Sequence, residues 1–546
     1  MTDPQQFYDR SRAWLDRLME LNPGAATQLG DHRFDGELGD FSLSAQDAQN
    51  AEIKGMAAEL AGMTTGEWPN DACVDHTLMT QIFKSFVRGH EAQRLHVRNP
   101  GQYLDATTGG VMLLIMKEFA PLPERLKSAL DRTRQVPRAL AEAKDVLEPE
   151  EVPPVWAETA IEQGRMAPML FTMLLPGLAQ QAAPDLVADI AEAGAAAGKA
   201  VEDYIEFIRS KVLPKASGDF AAGRELFDEM LREDHMVDYD ADQLIDTGRD
   251  QFEKTKRQME AVAKEIDPSK TVEQILDEVK ADHPTAGGLL DAYNEAMNGA
   301  KQFVIDHEIV TIPEGESLKI IETPVYLRPI IPFAAYMQPG ILEEEQNGIF
   351  VVTPVDPDAP PEEQEAKLKG HAYAKMRVTA LHEAYPGHHL QLVWANRAET
   401  LPRRMGSFLA TLFIEGWAFY CEELMEELGW IAEPAHRLAR LRDQLWRAAR
   451  IIIDASLHTR GMTGQEGIEL LVDACRLEQA NAAAEVRRYT QTPTQPQSYL
   501  MGKLQILELI DDFKAANPGK SLREIHDALL AAGSLPPRLM RQALEL

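Results

Sequence analysis

Cysteine is scarce in this sequence: 546 residues hold only Cys73, Cys421 and Cys475, widely separated and without any Cys-x-x-Cys spacing. That excludes a disulfide framework and a thiolate metal cluster. Long apolar runs are missing too. The longest stretches, such as Val111 to Met116 and Met169 to Leu175, fall far short of the roughly 20 residues that a helix needs to cross a bilayer. Basic charge is in deficit: 55 Lys and Arg face 87 Asp and Glu, a formal net charge of -32, which opposes binding to phosphate backbones or anionic lipid. Neither nucleic acid nor membrane is expected as a partner. The opening Met1-Thr2-Asp3-Pro4-Gln5-Gln6 shows no basic segment leading into an apolar one, as a secretory signal would. With the cysteine usage, this predicts a soluble protein of the reducing cytoplasm.

What is present reads as a large, mainly α protein. Hydrophobic residues make up 45% and charged residues 26%, which places the chain with globular proteins rather than disordered ones. Phe7, Trp14, Leu15 and Leu18 form one stripe of an N-terminal amphipathic helix stopped by Asn22-Pro23-Gly24. Helical periodicity recurs over Leu140 to Val146, Leu186 to Val212, Ala241 to Ile266 and Val272 to Asp306. The texture changes between Glu314 and Asp356, where Lys319-Ile320-Ile321, Val325-Tyr326-Leu327 and Ile349 to Thr353 place β-branched residues between Pro and Gly breaks; a small sheet is expected there. Helical pattern returns from Glu362 through Glu383, and again over Gly406 to Leu428, His436 to His458, Gly464 to Arg488 and Tyr499 to Lys514. The expectation is two helical lobes. Residues 1–310 would form one wall of a cleft, and residues 311–546 would carry the sheet, the polar helices and the chemistry.

That chemistry centres on His382-Glu383-Ala384-Tyr385-Pro386-Gly387-His388. A His-Glu pair followed by a second His is a way to set two imidazoles on one zinc ion with a carboxylate aimed at water. The usual spacing is four residues. Here six separate His382 from His388, about 600° around an ideal helix, so an unbroken helix would put the rings on different faces. Pro386-Gly387 offers the remedy, since both residues disrupt helical geometry and a bulge could absorb two residues. His389 is the rival second ligand. It returns to nearly the same face, but about 10 Å along the axis, so His388 is favoured and His389 falls to the surrounding shell or to substrate contact. A hydrolytic zinc site needs a third protein ligand. Glu415, a lone acid inside the apolar stretch Phe408 to Phe419 and followed at once by Gly416, is the candidate. Glu422 and Glu423 are expected behind the ligands or in solvent.

The motif His382-Glu383-x-x-Pro386-Gly387-His388-His389-x-Gln391, with Glu415-Gly416-Trp417-Ala418 downstream, resembles the bacterial domain of unknown function 885 family. The segment from Pro23 to Asp40 resembles that family's N-terminal signature, and Arg488-Tyr489 with Pro496 to Lys503 its C-terminal one. The family is similar to the gluzincin metallopeptidases. That resemblance implies a zincin-like fold, one Zn2+ held by His382, His388 and Glu415, and Glu383 as general base and then acid. It also implies a Tyr or His that steadies the oxyanion, for which Tyr499 and His458 are the candidates. Arg488 could hold a substrate carboxylate or serve a plain ion pair. Tyr336 and the strand Ile349 to Thr353 could offer an edge to an extended peptide or be structural. The expected activity is zinc-dependent hydrolysis of short peptides. Hydrolysis of a non-peptide amide and a non-catalytic metal-binding role are the alternatives.

Overall fold

A computed structural model describes residues 3–324, 328, 331 and 333–546. The protein is mainly α, with one small sheet. No helix among the described residues is long and apolar enough to cross a membrane. The chain divides into two compact units: Met1–Trp68 with Met79–Ala222 and Gly340–Glu343, and Pro69–Leu78 with Gly223–Pro339 and Glu344–Leu546. The main division thus falls at Ala222, whereas the change of texture suggested residue 310. The helix Ala241–Ile266 explains the difference, because its buried Leu244 and Ile245 share a core with Ala448 and Ile451 of the helix Pro434–Thr459. Helical periodicity is the same on both sides of Ala222, so it carries no mark of this boundary.

In the first unit the helix Pro4–Leu21 begins where Asp3 accepts the Gln5 amide and Pro4 occupies the first turn, a combination that satisfies one of the orphan N-terminal amides. Phe7, Trp14, Leu15 and Met19 are buried, with Leu18 at the margin of the stripe. The helix stops at Asn22, and Pro23 opens the next one.

In the second unit the sheet has the order β1-β3-β2, with β1 at Glu316–Glu322, β2 at Ala334–Met337 and β3 at Gln346–Val352. β3 pairs in parallel with β1 and antiparallel with β2. The strand at Ile349 to Val352 is therefore central, with its hydrogen-bonding edges taken on both sides, and cannot accept a peptide as an added strand. Val325-Tyr326-Leu327 lie outside the described residues. Four of the expected long helices are interrupted or begin late. Pro361–Lys369 and Tyr373–Glu383 are separate helices parted at Gly370, and the helix expected from Gly406 begins only at Thr411, after a short turn over Met405–Phe408. Val272–Ala281 and Leu289–Asp306 are separated around Pro284, and Gly464–Asp473 and Gln479–Gln491 are separated around Arg476 at φ 55°.

The helices Thr411–Glu427 and Ser498–Ala516 meet through Gly416 and Gly502. A Cβ on Gly416 would lie 2.4 Å from the Gly502 carbonyl carbon, a collision of backbone rather than of a movable side chain. Alanine is intrinsically the better helix former by about 1 kcal/mol, but forced overpacking costs about 1–3 kcal/mol and more when backbone must shift. Gly416→Ala is expected to lower the thermal unfolding midpoint. An unchanged or raised midpoint would show that the contact is not tight.

Candidate metal centre

The helix Tyr373–Glu383 ends at the glutamate of the motif. Ala384 leaves the helical region at φ -110° and ψ -86°, the Tyr385–Pro386 bond is cis, and a new helix runs over His388–Asn396. The backbone stops and restarts, where the spacing had suggested a bulge in one continuous helix. Gly387 lies so close to the preceding turn that a Cβ would sit 1.9 Å from the His382 carbonyl oxygen. Its amide donates to the Leu381 carbonyl at 3.0 Å. The fully buried Trp417 indole donates to the Pro386 carbonyl at 2.8 Å, tying the break to the helix that carries Glu415.

This break brings the His382 and His388 rings to 4.8 Å between centroids, at 88° to each other. One potential ligand atom from each of His382, His388 and Glu415 lies within 4.8 Å of the others. His388 Nε2 stands 3.4 Å from Glu415 Oε2, which is about the edge of a tetrahedron with zinc-ligand bonds of roughly 2.1 Å. His382 Nδ1 meets Glu422 Oε1 at 2.7 Å. That bond orients the ring and leaves Nε2 for an ion, as carboxylate partners do for metal-binding imidazoles. Glu422 is 1% exposed, and its second oxygen has no hydrogen-bond partner among the described residues. The donor set of two imidazoles and a carboxylate thus fits a zinc-type ion with one position left open. Burial pushes the Glu415 carboxyl up, but the His388 bond and charge prevail and hold it at about 2. Burial pulls His388 down, yet Glu415 outweighs it and the imidazole is raised.

One other grouping of the described residues meets the same spacing, Asp47, His90 and His96 in the first unit. There the two rings stack in parallel at 4.0 Å and 4°, so their lone pairs run side by side rather than converging.

His389 does not join the cluster. It is fully buried, with Nε2 at 2.7 Å from Glu316 Oε2 on β1 and Nδ1 at 3.0 Å from the Tyr336 hydroxyl on β2. Glu316 also accepts from the Tyr385 hydroxyl and Lys301. Burial pushes this carboxyl up, but the His389, Lys301 and Tyr385 bonds win and bring it to about 2. With both ring nitrogens taken, His389 cannot serve as a substrate contact, and Tyr336 spends its hydroxyl on the same network. Both lock the restarted helix to the sheet.

A cavity of about 350 Å³ opens beside His382 and is lined also by Glu383, Glu422, Trp446, Arg447 and Glu485. Tyr499 packs its ring against Arg450 at 4.6 Å and Arg447 at 5.5 Å, which places it next to that wall. His458 is elsewhere. It is 1% exposed, its Nε2 is 3.0 Å from the Tyr489 carbonyl oxygen, and its ring lies against Phe227, so it cannot steady an oxyanion at the cluster. Arg488 bonds Gln495 and Glu485 at 2.7 and 3.0 Å, the plain ion pair. Periodicity did not single out Trp417, Arg447 or Arg450. For Glu422, its position two helical turns after Glu415 was the available signal, since that returns it to the same face.

A family model described as bacterial protein of unknown function (DUF885) matches residues 23–544. The chain belongs to that family. No curated protein matches the sequence. Two solved structures share the fold over the full length. One is a proposed lipoprotein of unknown function from Shewanella oneidensis, 24% identical, with a TM-score of 0.81 and 100% of both chains covered. The other is a proposed lipoprotein from Colwellia psychrerythraea, 17% identical, with a TM-score of 0.82, covering 100% of this chain and 99% of that one. These neighbours overturn the expectation of a cytoplasmic protein. The same helical fold occurs in proteins described as lipoproteins, so scarce cysteine and acidic charge do not assign a compartment.

Two outcomes follow from the carboxylate partners. Glu422→Gln is expected to weaken zinc binding about 10–100-fold by calorimetry; unchanged affinity would show that Glu422 does not orient His382. Glu316 is held ionised below its ordinary 4.5, so its contribution to stability is present above pH 4.5 and fades as pH falls toward 2. Glu316→Gln is therefore expected to cost about 3 kcal/mol at neutral pH, with the deficit shrinking below pH 4.5 in urea titrations. A deficit independent of pH would contradict this.

Proposed function

We propose that this protein is a zinc-dependent hydrolase of peptide bonds in short peptides, similar in its chemistry to the gluzincin peptidases. The observation that carries the proposal is the convergence of His382, His388 and Glu415 immediately beside Glu383, across a break that an ordinary helix would not make. Two nitrogen donors and one oxygen donor leave an open position, which favours catalysis over a closed, cysteine-rich structural site. A bound zinc ion would supply Lewis acidity to water and to the scissile carbonyl.

The chain's own residues do the rest. Glu383 lines the cavity next to His382, which supports its role in this reading as the base that takes a proton from the attacking water and delivers it to the leaving nitrogen. Glu422 keeps the His382 ring in one orientation through its Nδ1 bond. Glu415 lies beside His388, and with both imidazoles neutral, as ligation requires, its carboxylate would give the ligand set a negative charge that suits a divalent ion. Tyr499 packs against Arg447, which lines the cavity, and against Arg450 and is the remaining side-chain candidate to donate to the oxyanion.

The test is Glu383→Gln in protein loaded with zinc, assayed on a library of short peptides. Hydrolysis by the unsubstituted protein is expected, with a loss of about 10²–10⁴-fold in the variant at unchanged zinc content. No hydrolysis by the unsubstituted protein, or a rate that survives the substitution, would reject the reading.

A further inference from the structure

We infer that Arg447 anchors the C-terminal carboxylate of the substrate, which makes the cavity beside Glu383 selective for short peptides with a free C-terminus. This rests on the peptidase reading and names its substrate class. Three other guanidinium groups stand near the cavity, and each has a close carboxylate. Arg442 meets Asp443 at 3.1 Å. Arg450 donates to the Tyr489 hydroxyl and to Glu485 at 2.9 and 3.0 Å. Arg488 is divided between Gln495 and Glu485.

Arg447 differs. Its Nη1 reaches the Asp443 carbonyl oxygen only at 3.4 Å and the Asp443 carboxylate at 3.9 Å, long for a charge-assisted bond. Its Nε is buried with no hydrogen-bond partner among the described residues. Nε is thus unmatched, and with Nη2 it forms the edge on which a guanidinium can receive a carboxylate through two parallel bonds. The side chain is 12% exposed. The rings of Trp446 at 4.9 Å, Tyr499 at 5.5 Å and Phe419 at 5.7 Å hold the group in place, so little ordering remains for a ligand to impose. A buried N–H without a partner is destabilising, and a ligand that satisfies it gains that difference. Arg447 shares its cavity with Glu383 and His382. A carboxylate seated there puts the chain end, rather than a mid-chain segment, beside the base.

The test is calorimetric binding of alanine tripeptide, its C-terminal amide, and an amidated tripeptide ending in glutamate to zinc-loaded Glu383→Gln protein. The free acid is expected to bind at least about tenfold more tightly than the alanine amide. Adding Arg447→Gln abolishes the preference, and Arg447→Lys restores part of it by charge without the fork. Equal binding of acid and amide, no binding of either, or a preference that survives Arg447→Gln overturns the anchor. So does an amidated glutamate peptide that binds as well as the free acid, which would make the ligand a side-chain carboxylate. The acid-amide comparison needs no substitution at Arg447, so it stands even where that variant folds poorly. The two readings fail separately. Equal hydrolysis of acid and amide by the unsubstituted enzyme sinks the anchor and keeps the peptidase. A carboxylate preference that depends on Arg447, without any hydrolysis, does the reverse.

Discussion

The hydrogen bond from Trp417 to the Pro386 carbonyl is the fastening on which the site depends. An intact helix would turn His388 about 240° away from His382. The break over Ala384 to Gly387 removes that offset, and Trp417 holds the break against the helix that supplies Glu415. Three consecutive residues of that helix meet three different neighbours. Glu415 faces His388, Gly416 lies on the backbone of Gly502, and Trp417 grips the break. A shift of this helix would disturb ligand, packing and turn together.

Carboxylates extend the same logic. Each histidine of the motif has its own: His382 has Glu422, His388 has Glu415 and His389 has Glu316. Glu415 stands with His382 and His388, Glu422 holds the His382 ring from behind, and Glu316 belongs to the sheet. Buried charges of this kind are tolerated only when paired and hydrogen-bonded, so each pair fixes one ring direction. The motif thereby divides into two imidazoles that converge with Glu415 and one that is turned to the sheet.

Much of this was legible in the residues. The stripe of Phe7, Trp14 and Leu15, the helix over Ala241 to Ile266 and the strands at Lys319 and Ile349 follow from local periodicity, which packing then respects. Grouping His382, His388 and Glu415 followed from donor chemistry and from the improbable spacing. What escaped depended on partners distant in sequence. His389 is occupied by Glu316, 73 residues away, and His458 by the Tyr489 carbonyl, neither of which a local pattern reveals. The form of the interruption was also hidden, because Pro-Gly signals a departure from the helix without stating whether the chain bulges or restarts. Arg447 stood among several arginines on one helix, and its long contacts to Asp443, where its neighbours have close carboxylates, set it apart.

The central claim is that His382, His388 and Glu415 bind one zinc ion. Crystals of protein reconstituted with zinc, measured on either side of the zinc absorption edge, test it directly. The account predicts one anomalous peak about 2.0–2.2 Å from a nitrogen of each histidine and an oxygen of Glu415. No peak there, or an ion held by other residues, would contradict it.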